Sequence, residues 1–318
     1  MRRTQAAGII LIGSAIVVGG LPLEPGWAAE VWITNMQSAN VQVFDQDTHK
    51  LVATIPADKG AHNVTISPDG KLAFVANVEA NNVTIIDAVG KSVIATVPAG
   101  ARAHQVAISP ETALCSNPRS GDVTVIDVMQ KKAVHTFPTG RGAMMAIFSP
   151  DGKQAFVANA DDATVSVVEI ANPRVLKTIP AGKGVMAFEP TRGFKLAWTT
   201  APDEDKIFII DLANGKQVGA ISVPGEPHGL ALSPDETVAY VVQRKLNQMA
   251  LIDMASRRIT HTAPVGKRPD MVVISPDGKT LYVTSRAENT LLVVSAADLK
   301  VIVKIPTGEE PHGVAYRR

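Results

Sequence analysis

Four histidines and an aspartate occupy one recurring place in this sequence. His62, His104, His228 and Asp270 each stand six residues before a proline, at Pro68, Pro110, Pro234 and Pro276. His312 stands six residues before the final Arg318, and the same offset from Pro150 and Pro190 lands on Met144 and Gly184. Neutral imidazoles with a carboxylate suit zinc, copper, nickel or iron, and a methionine beside them tilts the choice toward copper. One such histidine could also hold a haem-type tetrapyrrole. The same positions admit a packing role: His62 shares strand parity with Val64 and Ile66, and His228 with Leu230 and Leu232.

Other chemistry-bearing residues gather less sharply. Arg102, Arg119, Arg141, Arg244, Arg268 and Arg286 fall in connecting segments, as do the carboxylates of "ADDA" (Asp161, Asp162) and "PDEDK" (Asp203, Glu204, Asp205). They describe a mixed-charge face fit for a protein or a polar ligand, with room for an acid/base pair. "AVGKS", ending at Ser92, imitates the tail of a phosphate-binding loop, but Ile85 stands where its first glycine belongs. No G-x-S-x-G elbow is present, and no serine has local features of activation. His135 and His261 repeat one outer-strand position, and His49 reads as a surface turn.

The elements that must position these residues come from a repeat. "SP" falls at Pro68, Pro110, Pro150, Pro234 and Pro276, with "EP" at Pro190, giving spacings of 42, 40, 40, 44 and 42 residues. Within one unit, "HNVTIS", "KLAFVAN", "NVTIID" and "KSVIATV" are four short β-branched, apolar runs separated by turn residues. Four strands per period of this size make a propeller blade. The first unit lacks its opening strand, and the C-terminal "PHGVAY" supplies it. The sequence therefore predicts an all-β, seven-bladed propeller whose last strand completes its first blade. The blades run over 29–57 plus 309–318, 60–99, 102–139, 142–181, 184–224, 226–265 and 268–307. Ring closure brings His228, Asp270, His312, His62 and His104 onto consecutive blades, with Met144 next.

The stretches "VWITN" (Val31 to Asn35), "FVAN" (Phe74 to Asn77 and Phe156 to Asn159) and "LYVTS" (Leu281 to Ser285) resemble the signature of the YVTN-repeat β-propeller family. The likeness covers nearly everything after the N-terminal segment. It implies the propeller and an exported bacterial protein, and it assigns no activity. More distantly, the pattern is similar to seven-bladed lactonases and to the propellers of periplasmic redox enzymes. The third blade departs most, with "PETALCSN" (Pro110 to Asn117) two residues shorter than "PDGKLAFVAN" (Pro68 to Asn77).

Residues 1–28 read as a secretory signal peptide: Arg2 and Arg3, an apolar run from Ala6 to Val18, and small residues at Gly26, Ala28 and Ala29. Retention as an uncleaved anchor is the alternative. Loss of Arg2, Arg3 and Glu24 takes the basic residues from 31 to 29 and the acidic from 30 to 29. A formally neutral chain has no global field to attract nucleic acid or anionic lipid. Cys115 is the only cysteine, which excludes an intrachain disulfide. The leading expectation is a periplasmic or secreted binding protein using its charged loop face and channel mouth. A metal- or haem-type redox or maturation protein using the histidine arc is the alternative, and a lactonase-like hydrolase the second.

Overall fold

The computed structural model describes residues 9–12, 15–18 and 28–318. Most of the segment read as a signal peptide lies outside the described residues. Within it, Ile9–Ile12 and Ala15–Val18 pair antiparallel.

From Glu30 onward the chain forms seven four-stranded antiparallel sheets. In the second blade these are Ala61–Ile66, Leu72–Asn77, Asn82–Asp87 and Ser92–Pro98, running from the hub outward. Burial follows that order. The inner three strands are largely buried on both faces, hence their continuous apolar runs, whereas the outermost is mostly exposed and covers only Ala95 and Val97.

Seven apolar clusters fill the junctions between successive sheets. Ala73 and Val75 point back to the first blade's Trp32 and Val43. Phe74 and Ala76 point forward to Val106 and Cys115 of the third. Period-two alternation thus serves two interfaces with one strand.

The repeat signature has a physical reading. Ser67 Oγ donates to Asp69 Oδ1 and accepts from the Leu72 amide, while Gly70 takes the left-handed conformation that closes the Ser-Pro-Asp-Gly turn. The signature's terminal asparagine spans the next hairpin: Asn35 Nδ2 donates to Asn40, Asn77 to Asn82 and Asn117 to Asp122, each within 2.8 Å. In the third blade the turn is shorter, the Ser109 amide reaching Thr112 directly.

The ring closes as the sequence predicts. Pro311–Arg317 pairs with Glu30–Asn35, so the last strand is the innermost of the first blade. Glu30 secures this seam. Its buried carboxylate accepts from Arg317 Nη1 (2.9 Å), Lys91 Nζ (2.9 Å) and Trp32 Nε1 (3.0 Å), and so joins the C-terminal strand to the second blade.

One alignment is corrected. Pro190 is not the equivalent of the other marked prolines, because in the fifth blade Thr191 fills the serine's role: its amide bonds the Leu196 carbonyl as Ser67 bonds Leu72. That blade's innermost strand shortens to Phe188–Pro190. Among the described residues no helix is long and apolar enough to cross a membrane.

Candidate metal centre

Each innermost strand is entered by a three-residue phrase. Its first residue has positive φ in all seven blades: Gly60, Arg102, Gly142, Gly184, Glu226, Arg268 and Glu310. The second is a buried Ala, Val or Pro, and the third is the residue offered to the hub. This frame corrects the fifth blade, where Gly184 is the left-handed residue and Met186 the hub residue. The Met186 amide bonds the Thr200 carbonyl just as the His104 amide bonds that of Ser116. The signal was present in the sequence, since "GVM" at 184–186 repeats "GAM" at 142–144. Around the ring the hub residues are His312, His62, His104, Met144, Met186, His228 and Asp270.

At five of these positions the strand carries a one-residue register shift: at His62, at Met144, and beside His228, Asp270 and His312. A bulge re-aims the side chain it carries. That is why strand parity misleads here. Val64 and Ile66 pack in the junction with the first blade, but the His62 ring lies against two other imidazoles. Its centroid is 3.7 Å from that of His312 and 4.1 Å from that of His104.

Every one of the four imidazoles grips the next blade. His312 Nδ1 lies 3.0 Å from the His62 carbonyl, His62 Nδ1 3.1 Å from that of His104, His104 Nδ1 2.9 Å from that of Met144, and His228 Nδ1 3.1 Å from that of Asp270. A carbonyl has no proton to give, so each Nδ1 is the donor and each neutral ring carries its lone pair on Nε2. Hydroxyls of the signature's third position reinforce the grip: Thr34 donates to the His62 carbonyl, Thr200 to that of His228, Thr284 to that of His312 and Ser116 to that of Met144. Burial, joined by the neighbouring imidazoles and the Arg244 and Arg286 guanidiniums, holds His62, His228 and His312 neutral, well below the usual histidine range. Burial lowers His104 to about 4.

Asp270 completes the arrangement, fully buried between His228 and His312. Its Oδ1 accepts from Arg244 Nε (2.6 Å) and also meets the same guanidinium's Nη2, and it lies 3.3 Å from His228 Nδ1. Among the described residues its Oδ2 accepts no hydrogen bond, yet it lies 3.4 Å from His312 Nε2 and 3.8 Å from Arg286 Nη1. His228, Asp270 and His312 can each offer a ligand atom, and the three atoms lie within 4.8 Å of one another. Two buried acceptors thus face each other across a gap that a cation at about 2.0–2.2 Å from each would fill.

Arg244 also pairs with Glu226 (3.5 Å), which Lys245 shares at 3.7 Å, and Arg286 with Glu310 (3.0 Å), so three carboxylates balance three cations around the neutral rings. A macrocycle fits less well, because His62 is enclosed between His312 and His104 and all four rings are buried.

The remaining sequence candidates separate. Arg102, Arg119, Arg141 and Arg268 are exposed, and Arg141 pairs with Asp162 at 2.6 Å. Arg244 and Arg286, expected on the same outer face, instead turn inward to Asp270, their side chains only 13% and 18% exposed. Met144 enters the ring network through its carbonyl. His135 and His261 are exposed on outermost strands. Burial pushes the Cys115 thiol far up, which leaves it unreactive.

Residues 194–317 match the profile of the YNCE-like beta-propeller family. This chain belongs among the β-propellers. No curated protein matches it. Among solved structures it is similar to hydrazine synthase from Kuenenia stuttgartiensis, with a TM-score of 0.76 and 21% identity over 93% of this chain and 98% of that one. It is also similar to a protein of unknown function from Desulfotomaculum acetoxidans, with a TM-score of 0.78 and 15% identity over 91% and 99%. AztD from Citrobacter koseri gives 0.67 and 14% over 91% and 97%. At these identities the likeness is one of fold, and the function has to be argued from the site.

Proposed function

We propose that this protein is an exported propeller of the YVTN-repeat type that binds a divalent transition-metal ion at its hub through His228, Asp270 and His312. One observation carries the reading. His312 Nε2, whose ring has its proton on Nδ1, faces the hydrogen-bond-free Oδ2 of buried Asp270 at 3.4 Å. Like-signed lone pairs are not held together in a low-dielectric interior without a cation to share. Imidazole and carboxylate donors suit zinc, copper, nickel or ferrous iron. His62 fixes His312 by stacking on it and by accepting its Nδ1–H, the kind of support that orients a metal-bound imidazole. The exposed loop face is a weaker candidate, since charges such as Arg141 with Asp162 and Lys206 with Glu204 satisfy one another there.

The test is calorimetric titration of chelator-treated protein with zinc and with cupric ion, alongside Asp270→Asn and the double variant His228→Ala/His312→Ala. One equivalent per chain, lost in the double variant and weakened at least tenfold in Asp270→Asn, is expected. Wild-type protein that takes up no more of either metal than the double variant would overturn the reading.

A further inference from the structure

We propose that the metal-loaded hub takes a small monocarboxylate as a co-ligand, with Arg286 as its principal anchor. The inference rests on the metal reading above and extends it to the substrate class of the same site.

Two unused groups point to it. Asp270 Oδ2 is an acceptor without a donor, which a metal ion satisfies. Arg286 Nε is the complementary case: a buried donor that bonds no acceptor among the described residues. Of this guanidinium, Nη2 donates to Glu310 at 3.0 Å, while Nη1 approaches Asp270 Oδ2 only to 3.8 Å, beyond hydrogen-bond range. An inward-turned arginine with its fork so little used is set to receive a planar oxyanion, since guanidinium donors match a carboxylate in pairs. A cation alone leaves Nε unsatisfied, and an anion alone leaves Oδ2 unsatisfied. A metal ion carrying a carboxylate answers both.

Asp270, Glu226 and Glu310 balance Arg244, Arg286 and Lys245, so a divalent ion leaves the site net positive. An anionic co-ligand offsets that excess in a poorly solvated setting, and the one unused Nε donor of Arg286 provides for a single carboxylate group. Three protein ligands also leave a tetrahedral ion one open position, as binding and catalytic metal sites do. The buried station of Arg286 Nε favours a compact carboxylate over a bulky one.

Equilibrium dialysis with radiolabelled acetate tests this, using full-length protein with and without saturating zinc, in chloride buffer of constant ionic strength. Acetate should bind at least tenfold more tightly with zinc present. At zinc saturation Arg286→Gln should lose that gain, and Arg286→Lys, which keeps the charge but not the fork, should recover only part of it. Thermal melting of each variant confirms that it is folded. Stoichiometric zinc uptake with acetate affinity indifferent to zinc or to Arg286→Gln would overturn the co-ligand and leave the metal site standing. Failure to take up zinc at all would overturn both.

Discussion

His312, six residues before the C-terminal Arg318, donates its Nδ1–H to the backbone carbonyl of His62 in the second blade, 3.0 Å away. The bond crosses the seam where the ring closes. The strand that completes the first blade therefore also carries a hub residue and fastens it to the neighbouring blade. Closure and site are one construction.

That union makes the seam a point of cooperative failure. Removing residues 310–318 deletes the innermost strand of the first blade, opens two junctions and takes away Arg317, a partner of buried Glu30. Replacing Glu30 with Ala is the milder version, leaving Arg317 and Lys91 without their shared carboxylate. Breaking a buried pair costs about 3–5 kcal/mol, which for a domain of this size lowers the melting temperature by roughly 5–8 °C. Differential scanning calorimetry should show that fall for Glu30→Ala, and loss of the cooperative transition for the truncation. An unchanged melt in the truncated chain would contradict closure.

The fold was legible because its causes are local and repeated. Ser-Pro-Asp-Gly turns and asparagine-spanned hairpins recur at intervals of 40 to 44 residues, and an acidic residue or serine ends the third strand of every blade, at Asp45, Asp87, Asp127, Glu169, Asp211, Asp253 and Ser295, which counts seven. The hub was legible only in part. Counting back from proline succeeds wherever the proline follows the turn's serine, even in the shortened third-blade turn, and it fails in the fifth blade, where Pro190 precedes Thr191, the serine's replacement, and Met186 takes the place assigned to Gly184. Strand parity places His62 with Val64, but a bulge is an insertion relative to the partner strand, which the sequence of one strand does not reveal. The inward turn of Arg244 and Arg286 escaped for a different reason. It depends on a carboxylate contributed by a different segment of the ring, at Asp270, and nothing near either arginine announces it.

The glycine of each "PHG" is required by closeness rather than by backbone conformation. A Cβ on Gly229 would sit 2.7 Å from the Asp270 carbonyl oxygen and 2.8 Å from Met271 Cα, and one on Gly313 would sit 2.7 Å from Asn63 Cα. These are backbone atoms of the next blade, so relief requires moving a strand that carries a hub residue. Gly229→Ala should cost about 1–3 kcal/mol and weaken zinc binding, because the displaced strand holds Asp270. Gly152 is the control. It has φ of +68° and nothing within 4 Å of its prospective Cβ, so Gly152→Ala costs about 1 kcal/mol of backbone strain. Paired melting and zinc titration decide the matter: equal zinc affinity in both variants would refute the link between the close approach and the site.

The hub should also make stability sensitive to mild acid, and His104 isolates that effect. Burial is the main force lowering its pKa from 6.5 to about 4; the hydrogen bond to the Met144 carbonyl opposes the shift, while Arg102 and Arg244 add to it. The folded pKa lies below the unfolded one. Between the two values the unfolded chain binds a proton that the folded chain refuses. The contribution of His104 is therefore complete above pH 6.5 and is lost as the pH falls toward 4. Two and a half units correspond to a change on the order of 3 kcal/mol. The other buried imidazoles act in the same direction, so the measurement is a difference. Urea unfolding of chelator-treated protein from pH 8 to pH 4.5 should lose stability more steeply in wild type than in His104→Gln, by up to about 1.4 kcal/mol per pH unit, or one proton. Parallel profiles would mean that His104 is already charged in the fold, and would undo the assignment of its proton to Nδ1 alone.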